Sequence, residues 1–139
     1  MARLDFDGFD ALDGQFARLL DRGTIRRIVE AGARKDADEM RANITAASHV
    51  RTGSMLENVR PGDYKEDLDG AEMVVYPRGN DKNGVRQATK AYVINYGRGG
   101  RRTRRMGDKF ITGKLNQTEK AVQDAMQQES DRILAEINK

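Results

Sequence analysis

Apolar side chains recur at helical spacing in two long stretches of this chain, with shorter apolar runs between them. Ile25, Ile28, Val29, Ala33, Ala37, Met40 and Ile44 form one stripe, and Arg26, Arg27, Glu30, Arg34, Lys35, Asp38, Glu39 and Arg41 lie opposite. The pattern predicts an amphipathic helix from about Ile25 to Ala46, with Thr24 as its N-cap. Near the end, Leu115, Val122, Met126, Ile133 and Ile137 are separated by seven, four, seven and four residues. On a helix those five stay within about 60° of one another, a narrow seam for packing on a sheet or a second helix. Ala121, Ala125 and Leu134 widen it. A shorter helix is expected in the first twenty residues from Phe9, Leu12, Phe16, Leu19 and Leu20, closed by Arg22-Gly23.

Between the long helices the pattern shortens. Ala71 to Tyr76 reads as a strand stopped by Pro77, and Lys90 to Tyr96 reads as the next strand. Pro61-Gly62-Asp63 and Asp67-Leu68-Asp69-Gly70 carry turn chemistry, and the polar segment 81–88, with Asn83-Gly84, reads as a hairpin-like excursion. Ser54 either caps a short helical turn, or the stretch through Val59 begins a strand. Residues 97–108 show no periodicity; four glycines and five arginines make them a flexible, arginine-rich loop. The expected fold is α+β, a small antiparallel sheet packed with a long N-terminal and a long C-terminal helix.

A chain of 139 residues fits one domain, with residues 1–23 as an N-terminal arm. Hydrophobic residues make up 37% and charged residues 34%, so the core is modest, and chains of this kind often complete their burial against a partner. The net charge of +3 hides a gradient. Residues 1–70 carry −3, residues 71–109 carry +7 and residues 110–139 carry −1. There is no cysteine, which excludes disulfides and thiolate metal sites. No apolar run is long enough to span a membrane, and the N-terminus lacks the apolar region of a secretory signal.

Candidate chemistry is sparse. His49 is the one histidine, and no His-x-x-x-His or Glu-x-x-His spacing accompanies it, so it reads as an ordinary loop residue. Asp5, Asp7, Asp10 and Asp13 form an acidic patch that suits a solvated face or a basic neighbour. Nothing pairs a nucleophile with a base or clusters carboxylates, so the chain reads as a non-enzyme without a cofactor. The strongest charge feature is Arg98, Arg101, Arg102, Arg104 and Arg105. These residues suit docking on another subunit, contact with DNA phosphates, or a solvated loop. No aromatic residue is interleaved with them to stack on single strands, and Gly97-Arg98-Gly99-Gly100 lacks the Lys-Ser/Thr of a phosphate-binding loop.

Three segments carry a resemblance. Thr52-Gly53-Ser54-Met55-Leu56 follows the long helix. Ala91-Tyr92-Val93-Ile94-Asn95-Tyr96-Gly97 precedes the arginine loop. Lys109-Phe110-Ile111 then leads into the helix from Leu115 to Ile137. In this order they resemble the family of small tailed-phage tail-component proteins typified by gene product ten of phage Hong Kong 97, over roughly residues 24–138. Asn95 stands where that family usually has Glu, Arg98 where Thr is common and Lys109 where Pro is common. The resemblance implies a tail-component core over residues 24–139. It implies a structural virion protein, assembled in the host cytoplasm, that forms a homo-oligomeric ring at the head-tail neck. Such rings are commonly sixfold or twelvefold. They contact connector and tail-tube proteins and surround the DNA channel. An acidic first third and a basic middle third suit head-to-tail contacts between subunits. The alternative reading is a DNA-binding protein that contacts phosphates through the arginine-rich loop.

Overall fold

The computed structural model describes residues 2–5, 21–47, 49, 53–98, 105–137 and 139, and only the backbone of 2–5, 98 and 105. The helix expected around Phe9 to Leu20 and the acidic residues Asp7, Asp10 and Asp13 lie outside the described residues. The remainder is the expected mixture of long helices and small antiparallel sheets.

Helix α1 (Arg22–Ala46) is the spine. Its stripe is buried as the spacing requires, with Val29, Ala33 and Ile44 fully covered and Met40 partly covered. The helix starts earlier than Thr24 suggests. Asp21 is its N-cap, and the N–H of Ile25 donates to the Asp21 carbonyl at 3.0 Å. Arg22 and Gly23, expected to close a preceding helix, are therefore the first residues of α1.

After α1 comes a single turn, α2 (Ser54–Glu57), capped by Gly53 in the left-handed region rather than by Ser54. Strand β2 (Val59–Pro61) begins after Asn58, so the helical turn forms without Ser54 as its cap and the strand starts only at Val59. Strands β3 (Lys65–Glu66) and β4 (Gly70–Met73) form a hairpin. Its turn is closed by Asp67, whose carboxylate accepts the N–H groups of Asp69 and Gly70. The strand expected over Ala71–Tyr76 is broken at Val74, and β5 (Val75–Pro77) pairs with β2 instead. An unexpected strand, β1 (Ala2–Asp5), pairs antiparallel with β4, with Ala2 opposite Met73 and Asp5 opposite Gly70. The two sheets run β1-β4-β3 and β2-β5, and α1 lies against strands of both.

The largest departure is Lys90 to Tyr96. It is not a strand but the body of helix α3 (Gln87–Tyr96). Its buried face is Gln87, Ala91 and Asn95, spaced by four, while Tyr92 and Tyr96 point outward. The β-prone run Tyr92-Val93-Ile94 suggests a strand, but the residues that pack are small or polar and recur at helical spacing.

Helix α4 (Leu115–Ile137) is entered through a 3₁₀ turn at Thr112–Lys114 and lies along α1. Val122 joins the main core. Ile133 packs with Ile28, and Met126, Leu134 and Ile137 cover that contact. Arg27 reaches across from α1 to Glu129 and Glu136, each at 3.0 Å. Leu115, placed in the seam by its spacing, is about half exposed.

Candidate functional site

Helix α3 ends at Gly97, whose φ of 88° lies outside the range open to most side chains. The chain turns there into β6 (Gly97–Arg98), which pairs antiparallel with β7 (Arg105–Met106). The loop expected from Gly97 to Asp108 is thus partly ordered at both ends, as a short ribbon. Its register sets Gly97 opposite Met106 and Arg98 opposite Arg105. Arg101, Arg102 and Arg104 lie outside the described residues, and so does the flexible loop expected there.

The root of this ribbon is fixed on the C-terminal end of α3. Asp108 and Lys109 donate their N–H groups to the carbonyls of Ile94 and Asn95, at 3.0 and 3.1 Å. Gly107 passes so close that a Cβ there would lie 2.2 Å from the Asn95 carbonyl oxygen. Asn95 is 1% exposed, and its side-chain oxygen accepts the N–H of Ile111 at 3.0 Å and of Thr112 at 3.1 Å. Its Nδ2 is buried without a hydrogen-bond partner among the described residues. The carboxylate of Asp108 accepts the Phe110 N–H at 3.0 Å and meets Nε2 of His49, whose ring stands edge-on to Phe110 at 5.1 Å. His49 therefore has a structural place, tying the segment after α1 to the ribbon root.

Lys109 has φ 55° and donates its N–H to Asn95. Proline satisfies neither requirement, so at this position the backbone follows a course closed to the residue common in the resembling family. On the outer side of the root, Tyr92, Tyr96 and Met106 are 63%, 59% and 88% exposed, and the two tyrosine rings lie 4.7 Å apart.

A second arginine group escaped the sequence reading. Arg60, Arg78 and Arg86 line one cleft on the face of the β2-β5 pair. They are far apart in sequence and share no motif. The signal that could have found them is the alternation in Val59-Arg60-Pro61 and Val75-Tyr76-Pro77-Arg78, which sends Arg60, Tyr76 and Arg78 to one side. Among the described residues no group of three or more His, Cys, Asp or Glu is placed to hold a metal ion, and no helix is long and apolar enough to cross a membrane. Compared with protein-family models, curated proteins and solved structures, the chain matches none.

Proposed function

We propose that this chain is a structural virion protein of a tailed bacteriophage, forming a ring of identical subunits at the head-tail neck in tail completion or head-tail joining. The observation that carries the reading is the bare apolar strip of Tyr92, Tyr96 and Met106 beside the arginine-bearing ribbon. In a monomer this strip faces water; a neighbouring copy around a closed ring would cover it. A long helix before and after the small sheets, and the sequence resemblance at Thr52–Leu56 and Ala91–Gly97, support the same reading, although Ala91–Tyr96 is helical where a strand was expected. Neighbouring connector and tail-tube proteins are the further partners, and the virion neck is the location.

The test is the mass and shape of the purified protein, alone and mixed with tail tubes. A ring of six or twelve copies is expected, and Tyr92→Glu with Tyr96→Glu should leave monomers. A wild-type protein that stays monomeric under both conditions overturns the proposal.

One observation favours a second reading, a DNA-binding protein using the arginine-rich loop. The ribbon backbone sets Arg98 and Arg105 at opposed register positions, which gathers two of the five arginines at one place. Duplex binding that survives replacement of Arg98, Arg101, Arg102, Arg104 and Arg105 by Gln would eliminate it.

A further inference from the structure

Strands β2 and β5 alternate between core and surface. Val59, Val75 and Pro77 are buried, which turns Arg60 and Tyr76 outward, and the register pairs those two directly. Arg78 comes two residues after Tyr76 and so shares its face. Its N–H donates to the Asn58 carbonyl at 2.9 Å, which prolongs the ladder. The chain then loops out and returns at Arg86, bridged to Asn80 at the start of α3. Arg60, Tyr76, Arg78, Asn80, Arg86 and Ala88 together line a cleft of about 440 Å³.

Among the described residues no acidic side chain lines this cleft. Between Glu72 and Asp108 the chain has one acid, Asp81. Its carboxylate is engaged by Lys90 and by the N–H groups of Asn83 and Val85, at 2.8 and 2.9 Å for the last two. Among the described residues, none of the three cleft arginines is in an ion pair.

Arg78 is held in place rather than left loose. Its guanidinium lies 4.6 Å from the centre of the Tyr76 ring. Gly62 leaves the room for it, since a Cβ there would fall 2.1 Å from Nη2 of Arg78 and 2.9 Å from the Val74 carbonyl. The Arg78 Nε is buried with no acceptor among the described residues. The N-terminal end of α3, whose N-cap Arg86 makes no side-chain cap, adds its partial positive charge at Ala88.

We propose that this cleft binds a phosphoryl group, with Arg60, Arg78 and Arg86 as the contacting residues. A single carboxylate offers two oxygens and one charge to three guanidinium groups. A phosphoryl group offers more oxygens in a tetrahedral array, which suits several arginine forks at once. The source of the group is either free phosphate or the backbone of a nucleic acid. The proposal does not depend on the ring reading, because it concerns anion binding and not assembly mass.

The experiment compares wild type with Arg60→Gln/Arg86→Gln, both exposed positions, and with Arg78→Gln. Each is made in a background with Arg98, Arg101, Arg102, Arg104 and Arg105 all replaced by Gln, so that the arginine-rich loop does not contribute. Inorganic phosphate is followed by the shift in Tm, and a short DNA duplex by fluorescence anisotropy over a salt series. For a nucleic-acid backbone, the Arg60/Arg86 double variant should lose about tenfold in duplex affinity, with a salt slope shallower by about two. For free phosphate, wild type should gain Tm with phosphate, the variants should not, and duplex binding should be indifferent to the cleft. Indifference of both readings to the cleft variants overturns the proposal. Tighter binding of a polyglutamate peptide than of either phosphate probe overturns it too, in favour of an acidic protein segment.

Discussion

The side-chain oxygen of Asn95 accepts the backbone N–H of Ile111 at 3.0 Å, across sixteen residues of chain. The bond ties the last turn of α3 to the approach of α4, and it is shielded from water because Asn95 is buried. The same oxygen also takes the Thr112 N–H, so one side chain replaces the partners that two backbone groups would otherwise lack. Asn95→Ala should therefore destabilise the protein by about 2 kcal/mol in urea unfolding, with the m-value unchanged. A change below about 0.5 kcal/mol would show that water serves these donors equally well.

Backbone geometry at the ribbon root leads to a second expectation. Lys109→Pro removes the N–H given to Asn95 and demands a φ of opposite sign, so a loss of about 3 kcal/mol or more is expected. Gly107→Ala presses a methyl group against the Asn95 carbonyl and should cost at least about 2 kcal/mol. Wild-type Tm values in both variants would mean that the root is not docked on α3 in solution.

Tyr64 should ionise late. Burial, with help from the Glu66 carboxylate that accepts its hydroxyl at 2.7 Å, pushes its pKa up to about 12. Because the folded value is raised, the contribution to stability is complete below the ordinary tyrosine pKa of about 10 and disappears as pH climbs through the folded value. Ultraviolet titration of phenolate should show a late step near 12 that Tyr64→Phe removes.

Asp81 gives the opposite sign. The hydrogen bond from Lys90, followed by the one from the Val85 N–H, holds its carboxyl below the ordinary aspartate range. Its stabilising effect is complete above about pH 4 and is lost as acid carries the solution down through the depressed value. In Asp81→Asn the unfolding midpoint should vary less with pH below about 4 than in wild type. An unchanged acid profile would show that the pair with Lys90 does not form in solution.

The two long helices were legible because their stripes keep a 3.6-residue period and bury what that period selects, from Ile25 to Ile44 and from Val122 to Ile137. Helix α3 was not. It hides Gln87, Ala91 and Asn95 and exposes Tyr92 and Tyr96, so the side chains that usually mark a buried face point the wrong way. Gln87 is satisfied by Ser54, its Nε2 donating to Oγ at 2.6 Å, a partnership thirty-three residues apart that no local pattern announces. Strand β1 was missed for another reason: four residues carry too little periodicity, and its partner strand lies some sixty-eight positions away at Asp5↔Gly70 and Ala2↔Met73. The cleft arginines were hidden likewise, since only the β2-β5 register and the return of the chain at Arg86 bring them together.

The docking of Gly107, Asp108 and Lys109 on the end of α3 has a mechanical consequence. A pull on the ribbon tip is not taken up by a slack tether. The tension passes through the Ile94 and Asn95 carbonyls to a rigid helix, and through the Asn95 amide to the first turn leading into α4. Whatever grips the far end of the ribbon thus has leverage on the longest pair of packed elements in the molecule.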